Sequence, residues 1–196
     1  LQKALEYYYP GRKFRILNYG VGGSTIDYAL FRLSSSYQYL GKNIPPLLST
    51  EPDIVVIESF AYNNFGNTQA GIDKQWLNLG AITTVIKNKL PRTKIVMAAA
   101  IAPNSITYAN GVKDLHLTAL DKIERVSTID LYLQNLVNFA TSQSYPLADA
   151  YHPSLTDGKN GRKDLINTTD YIHPSELGNQ FFCDIVAKSV FDNKLL

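Results

Sequence analysis

Short runs rich in isoleucine and valine alternate along this chain with longer segments whose apolar positions recur at helical spacing. The short runs predict β-strands at residues 14–18, 53–59, 94–100 and 145–150. The longer segments predict α-helices at residues 1–9, 26–40, 72–90, 114–141 and 175–191. The second and third strands are continuous apolar runs, which is typical of strands that are covered on both faces.

This alternating order predicts an α/β fold, in which a parallel sheet carries helices on both sides. We expect one domain spanning residues 1–196. Right-handed crossovers place all strand-to-helix loops at the carboxyl ends of the strands, where ligands usually bind. The loops of interest are therefore residues 19–25, 60–71, 101–113 and 151–173.

Composition excludes several classes of function. The chain has 196 residues, of which 45% are hydrophobic, and a formal net charge of only +2. Its basic residues are scattered, so nucleic acid is not an expected partner. No apolar run is long enough to span a membrane. The lone Cys183 lies on the apolar side of the last helix and is expected to pack there. Compartment and oligomeric state stay open.

Residues 170–173 contain the strongest chemical signal. Asp170 and His173 are three positions apart, just before an apolar helix, and this spacing lets the carboxylate orient the imidazole while the other ring nitrogen faces a substrate. A general base and its orienting acid are therefore predicted. No nucleophile for them to activate is evident in the sequence. Ser24 and Ser59 lie near the predicted site, but we expect both to be structural.

The glycine-rich loop at residues 18–25 follows a predicted strand and precedes a helix. Its backbone N–H groups could stabilise an anion or a developing oxyanion, although a tight turn explains the glycines equally well. A dinucleotide loop is a weaker interpretation, because Thr25 replaces the third glycine and the nearest strand-ending acid, Glu58, is too distant. In the next loop, Asn63 is either an oxyanion donor or the first residue of an Asx turn.

The other histidines have simpler interpretations. His152 follows the last predicted strand and could be a second base. Because it lacks the spacing to an acid that Asp170 gives His173, we expect it to line the rim of the cleft or to cap a turn. His116 lies in a predicted helix and is expected to be at its surface or to pack there. No His, Cys, Asp or Glu residues recur at a metal-ligand spacing, so no metal site is predicted.

Together these motifs resemble the SGNH, or GDSL-type, hydrolase superfamily of esterases and lipases, whose fold is a flavodoxin-like three-layer α/β/α sandwich. Residues 20–25 resemble its second sequence block and place Gly23 as an oxyanion donor. Residues 61–64 resemble its third block, G-x-N-D, and place Asn63 as the side-chain donor. Residues 170–173 match its fifth block, D-x-x-H, and Pro174, Glu176 and Gly178 are typical of its continuation.

Two departures from that pattern matter. The third block has Ala61 for glycine and Asn64 for aspartate, which indicates a divergent subfamily. The first block, a strand ending in Gly-Asp-Ser, is absent, and the resemblance implies that it precedes Leu1. The expectation is therefore an N-terminally truncated chain that lacks the first strand and the serine nucleophile and is inactive by itself.

The resemblance implies a serine-type hydrolase that cleaves a small-acyl or carbohydrate ester and needs no cofactor. Two other interpretations stay open. One is a non-catalytic SGNH-like domain that binds a glycan or a partner, which would retain ligand affinity without turnover. The other is a nucleotide-binding module that uses the glycine loop, which titration with FMN or NAD would test.

Overall fold

The computed structural model describes all residues from Leu1 to Leu196. The helices are α1 (Gln2–Tyr8), α2 (Ile26–Ser34), α3 (Gln69–Lys89), α4 (Ala119–Ser142) and α5 (Glu176–Asp192). The strands are β1 (Tyr37–Tyr39), β2 (Lys42–Ile44), β3 (Ile54–Glu58), β4 (Lys94–Ala99), β5 (Leu147–Asp149), β6 (Leu155–Thr156) and β7 (Asn160–Gly161). Four short 3₁₀ turns are Leu47–Thr50, Ala61–Asn63, His152–Ser154 and Lys163–Leu165.

The central sheet is parallel, as the alternating order predicted. Its strand order is β3-β4-β5, with β4 in the middle. Ile54 pairs with Lys94, and Met97 pairs with Leu147. Two small antiparallel pairs, β1 with β2 and β6 with β7, lie outside this sheet. The carboxyl ends of all three parallel strands therefore share one edge.

Helices cover both faces of the sheet, which confirms the predicted three-layer α/β/α arrangement. Alternate residues of a strand point to opposite faces. Met97 belongs to the core cluster on the face covered by α2, α3 and α4. Val96 and Ala98 belong to the cluster on the face covered by α1 and α5, where they meet Leu5 and Val186. Because β4 is buried on both faces, it is apolar throughout its central residues.

The strand predicted at residues 14–18 is not formed. No backbone group of these residues hydrogen-bonds to another backbone group, and β3 has no neighbour on its outer edge. Ile16 and Leu17 are 45% and 41% exposed, and Val56, in the middle of β3, is 36% exposed. A strand exists only through its ladder to a neighbour. Residues 14–18 have the composition of a strand, but nothing in this chain pairs with them.

The helix predicted at residues 26–40 ends early, at Ser34, and a hairpin follows it. Leu40 and Gly41 link the hairpin strands with φ angles of 48° and 73°. Two consecutive positive φ values are typical of the tight turn that joins antiparallel strands, and glycine adopts one of them without strain. The chain leaves the helix at Ser35, which is extended, and the hairpin takes the remaining residues of the predicted helix.

The other predicted helices are present with shifted ends. The Thr68 side chain accepts a hydrogen bond from Gly71 N–H, so α3 begins at Gln69 and not at residue 72. The helix predicted from residue 114 begins at Ala119, because Thr118 and Asp121 form a reciprocal capping box. The last predicted strand shortens to Leu147–Asp149.

Candidate active site at the carboxyl edge of the sheet

The predicted acid and base are in direct contact. His173 Nδ1 lies 2.6 Å from Asp170 Oδ2, while Asp170 Oδ1 accepts hydrogen bonds from the backbone N–H groups of Ile172 (2.8 Å) and His173 (3.0 Å). The other ring nitrogen, Nε2, has no partner, and the histidine side chain is 73% exposed. The carboxylate therefore fixes the ring, and Nε2 is available to accept a proton.

The turn that carries this pair is held from its amino-terminal side. Asn167 Oδ1 accepts hydrogen bonds from Thr169 and Asp170 N–H, and Asn167 N–H donates to the His173 carbonyl over 2.9 Å. Tyr171 adopts the left-handed region with φ 58°. Such a conformation costs about 1 kcal/mol or more in a non-glycine residue and persists only when surrounding contacts enforce it. The pair thus lies on an enforced tight turn and not on a helix.

Burial and hydrogen bonding act in opposite directions on the Asp170 carboxyl group. Burial favours the neutral acid, but the hydrogen bonds from the His173 ring and from the Ile172 and His173 N–H groups together outweigh it and hold the pKa of Asp170 below its usual value. Asp170 is therefore ionised at neutral pH and can stabilise a positively charged His173.

The glycine loop lines this region with two residues whose backbone N–H groups have no acceptor within the chain, Val21 and Gly23. Gly20 N–H donates to Asn18 Oδ1, Gly22 N–H donates to the Tyr39 hydroxyl, and Ser24 N–H donates to the Val21 carbonyl. Gly23 N–H has no acceptor within the chain. Gly23 also has φ 71°, a conformation that favours glycine. Hydrogen bonds from Gly22 and Ser24 thus hold the loop on both sides of the unpaired Gly23 N–H group.

The Asn63 side chain is a second free donor. It ends the 3₁₀ turn Ala61–Asn63, which follows the positive φ (54°) of Phe60 at the carboxyl end of β3. The neighbouring Asn64 side chain is engaged, since it donates to the Ala61 carbonyl (2.7 Å) and accepts from Gly66 N–H (2.9 Å). Asn64 is the Asx-turn residue of this loop, which leaves Asn63 without a structural task.

One cavity of about 320 Å³ joins these elements, and we call it the catalytic cavity. Gly23, Asn63 and His173 all line it, and Asp170 contacts His173. Its other lining residues are Val21, Gly22, Glu58, Tyr62, Ala100, Ile101, Ile172, Pro174, Asn179 and Phe182. No serine, threonine or cysteine is among them, so the cavity combines a base with unpaired N–H donors and lacks an aliphatic hydroxyl or thiol nucleophile.

The two serines considered from the sequence lie outside this cavity and are engaged elsewhere. Ser24 Oγ donates to the Val21 carbonyl over 2.8 Å. Ser59 is fully buried, and its hydroxyl donates to Glu58 Oε1 over 2.5 Å. Neither hydroxyl is directed at His173.

The interpretation of His152 from the sequence is wrong in one respect. Asp149 does lie three residues before it, and His152 Nδ1 is 2.6 Å from Asp149 Oδ2. Asp149 Oδ1 also accepts from Tyr151 and His152 N–H, so this turn repeats the hydrogen bonds of the Asp170 turn. Its Nε2, however, faces Gln134 Oε1 at 3.2 Å, and His152 does not line the catalytic cavity. The chain thus contains two Asp–His pairs, of which one borders the catalytic cavity.

Sequence reasoning missed three residues that shape the site. Glu58 lines the catalytic cavity, and burial raises the pKa of its carboxyl group despite hydrogen bonds from Ser59 and Phe60. An acid that ends an otherwise apolar strand was a usable signal for it. Tyr39 and Asn167 position Gly22 and the Asp170 turn, respectively. These two contacts are tertiary or lie within an irregular loop, so no sequence period indicates them.

Gly178 controls how closely α5 approaches the site. A Cβ atom there would lie 2.0 Å from the Leu165 carbonyl oxygen, the same oxygen that accepts Ser175 N–H over 2.8 Å. We expect Gly178→Ala to destabilise the fold by about 1–3 kcal/mol, because α5 or the Leu165 backbone must shift. Urea unfolding would measure the effect.

The matched control is Gly80→Ala, because Gly80 lies inside α3 with no atom near its added Cβ. This variant should gain about 0.5–1 kcal/mol from helix propensity. Equal stabilities for the two variants would contradict the close approach of α5 to Leu165.

No group of three His, Cys, Asp or Glu side chains is arranged to hold a metal ion. None of the helices is both long enough and apolar enough to cross a membrane.

Known structures share this fold at low sequence identity. A GDSL-like lipase from Bacteroides thetaiotaomicron is similar with a TM-score of 0.61 and 15% identity, over 98% of this chain and 84% of that protein. A lipase/acylhydrolase from Enterococcus faecalis is similar with a TM-score of 0.66 and 16% identity, over 97% and 84%. An acetyl xylan esterase is similar with a TM-score of 0.63 and 18% identity, over 96% and 87%.

No protein-family model matches the sequence. No curated protein matches it either. The fold is thus the α/β/α fold that GDSL-like lipases, acylhydrolases and esterases also have, at a sequence identity of 15–18%.

Proposed function

We propose that this chain, which has the fold of GDSL-like lipases and acylhydrolases, belongs to a serine ester hydrolase of the SGNH class. The observation that supports the proposal is that His173, Gly23 and Asn63 line one cavity, each with a polar group that has no hydrogen-bond partner within the chain. His173 is the general base, Asp170 orients it, and Gly23 N–H and the Asn63 amide form the oxyanion hole. A base and oxyanion donors in one cavity are the requirements of acyl transfer.

The proposed reaction has two acyl-transfer steps. A serine Oγ attacks the ester carbonyl carbon while its proton passes to His173 Nε2, and the carbonyl oxygen becomes an oxyanion that Gly23 and Asn63 stabilise. The intermediate collapses, the alcohol leaves with the proton from His173, and an acyl-enzyme remains. Water then attacks this ester with His173 again as the base, which releases the acid and restores the serine.

The serine must come from outside the residues that line the catalytic cavity. We propose that it ends a strand, encoded before Leu1, that pairs with the free edge of β3. Two observations support this proposal. β3 has an unpaired edge. Residues 14–18 have the composition of a β-strand, but they pair with no strand and are largely exposed. Parallel pairing with β3 would bring the end of that strand to the same edge as Glu58 and the catalytic cavity.

For the substrate we propose a small-acyl ester of a carbohydrate. The catalytic cavity, at about 320 Å³, lies at the low end of the size range of small-molecule sites, which suits a short acyl group. One protein of the same fold is an acetyl xylan esterase, which is compatible with such a substrate. The mechanism needs no cofactor.

One observation favours a second candidate function. Because no aliphatic hydroxyl or thiol lines the catalytic cavity, the chain by itself is equipped to hold a ligand and not to cleave it. A non-catalytic glycan-binding domain is therefore the alternative. It predicts that the gene encodes no serine-bearing strand before Leu1.

The deciding experiment reads the coding sequence before Leu1 and labels the encoded protein with a fluorophosphonate. We expect an apolar strand ending in Gly-Asp-Ser and covalent labelling that is lost when that serine is replaced by alanine. A start codon directly before Leu1, with no such strand, would refute the catalytic proposal and leave the binding domain.

A further inference from the structure

A second, larger cavity adjoins the catalytic cavity, and we call it the polar cleft. Its volume is about 470 Å³, and only three of its 11 lining residues are hydrophobic. Tyr62 and Asn63 line both cavities, so the polar cleft opens beside the proposed oxyanion hole. Its far side is the first two turns of α4, which contribute Glu124 and Arg125.

Tyr108 is the clearest sign that the polar cleft holds a ligand. Its side chain is buried, at 7% exposure, yet its hydroxyl makes no hydrogen bond within the chain and borders the polar cleft. Burial raises the pKa of this phenol, with Arg125 acting in the opposite direction, so the group stays protonated at neutral pH. Because the hydroxyl itself is open to the polar cleft, this neutral phenol is free both to donate to a ligand and to accept from one.

Other polar groups of the polar cleft are also free. Arg125 and Glu124 form no salt bridge, and the Asn67 side chain has no hydrogen-bond partner. Three lining side chains are engaged within the chain: the Asp121 carboxylate accepts the N–H and the hydroxyl of Thr118, the Thr128 hydroxyl donates to the Glu124 carbonyl, and Asn64 holds its own loop. Donors and acceptors that lack internal partners are what a ligand with many hydroxyl groups requires.

Charge narrows the ligand class. The charged lining residues are Asp121, Glu124 and Arg125, so the polar cleft has a formal charge of −1, which disfavours an anion. The small number of apolar lining residues disfavours a long acyl chain. A neutral polyol satisfies both conditions.

We infer that the polar cleft binds the neutral sugar portion of the ester, with the Tyr108 hydroxyl and the Arg125 guanidinium as its main contacts. This inference rests on the proposed function only for the ester, since sugar binding itself needs no nucleophile. The sugar lies in the polar cleft while its acyl group reaches past Asn63 into the catalytic cavity. Tyr108 and Arg125 thus determine specificity without touching the reacting carbonyl.

The test uses this chain and measures binding, so it does not depend on catalysis. Xylotriose, cellotriose and chitotriose are titrated into the isotopically labelled chain, and amide chemical shifts are followed by NMR. We expect at least one sugar to bind, with shifts concentrated around Tyr108 and α4. Tyr108→Phe and Arg125→Ala should each weaken that binding about tenfold, the effect of losing one hydrogen bond to a ligand.

Matched controls are Tyr7→Phe and Arg92→Ala. Tyr7 is 81% exposed on α1, on the opposite face of the sheet, and Arg92 lies in the turn before β4, so neither borders the polar cleft. Both should bind sugar like the unmodified chain. The inference is overturned if none of the three sugars binds, if binding survives both cleft variants, or if decanoate or glucose 6-phosphate shifts these residues in their place.

Failure of the proposed function gives a different pattern. If sugars bind as expected but the protein with its upstream segment hydrolyses neither p-nitrophenyl acetate nor an acetylated sugar, then the cleft inference stands and the hydrolase proposal fails. If the protein hydrolyses these esters and none of the sugars binds, the hydrolase proposal stands and the cleft inference fails.

Discussion

Replacement of His173 by alanine in the protein that carries the upstream strand is expected to abolish ester turnover, with kcat lowered about 10³-fold or more. His173 is the only residue of the catalytic cavity with an imidazole, and its free Nε2 is the group that would take the serine proton. Its side chain is 73% exposed, so the melting temperature should hardly change. Hydrolysis of p-nitrophenyl acetate and a thermal melt would measure both effects.

The chain provides its own control for this variant. His152 has the same spacing to its acid, the same 2.6 Å contact and the same two backbone hydrogen bonds to the carboxylate. It differs in what faces Nε2, which is Gln134 and not the catalytic cavity. His152→Ala should therefore retain full kcat. A similar loss in both variants, or activity retained in His173→Ala, would remove His173 from the mechanism.

These two histidines also show why the motif alone could not identify the site. An Asp-x-x-His turn is a local structure, since its hydrogen bonds join residues within four positions, and any chain with that spacing can form it. The second pair was present in the sequence at residues 149 and 152 and was overlooked there. The two Asp–His pairs differ in what surrounds the Nε2 atom of the histidine. These surroundings depend on which parts of the chain, distant in sequence, pack against each pair.

The same division between local and distant causes explains the fold prediction. Strands β3 and β4 were predictable, because burial on both faces requires continuous apolar runs. Residues 14–18 have a similar local composition, but their ladder needs a neighbour that this chain does not provide. The hairpin after α2 was missed because Leu40 adopts a positive φ that its residue type does not suggest.

The candidate site was partly predictable for a related reason. Gly23 follows the predicted strand at residues 14–18 and Asn63 follows β3, and both do line one cavity with His173. The polar cleft was not predicted from the sequence. It brings together Tyr108, from a loop, and Arg125, from α4, and these two residues are 17 positions apart in the sequence. No periodicity connects such residues.

Replacement of Asn63 by alanine is expected to lower kcat about 10²- to 10³-fold, with little change in KM or stability, because an oxyanion donor acts mainly in the transition state. The Asn63 side chain has no partner within the chain, so its removal leaves no group unsatisfied. Steady-state kinetics with p-nitrophenyl acetate would separate kcat from KM.

Asn64→Ala is the matched comparison, because the two asparagines are adjacent but differ in their contacts. Asn64 donates to the Ala61 carbonyl and accepts from Gly66 N–H, so its loss should destabilise the protein by about 1–3 kcal/mol. If Asn64→Ala lowers the stability and Asn63→Ala lowers kcat, then Asn64 supports the loop and Asn63 stabilises the oxyanion. If Asn63→Ala instead lowers stability and leaves kcat unchanged, Asn63 is not the oxyanion donor, and the unpaired N–H groups of Val21 and Gly23 are the donors that remain in the glycine loop.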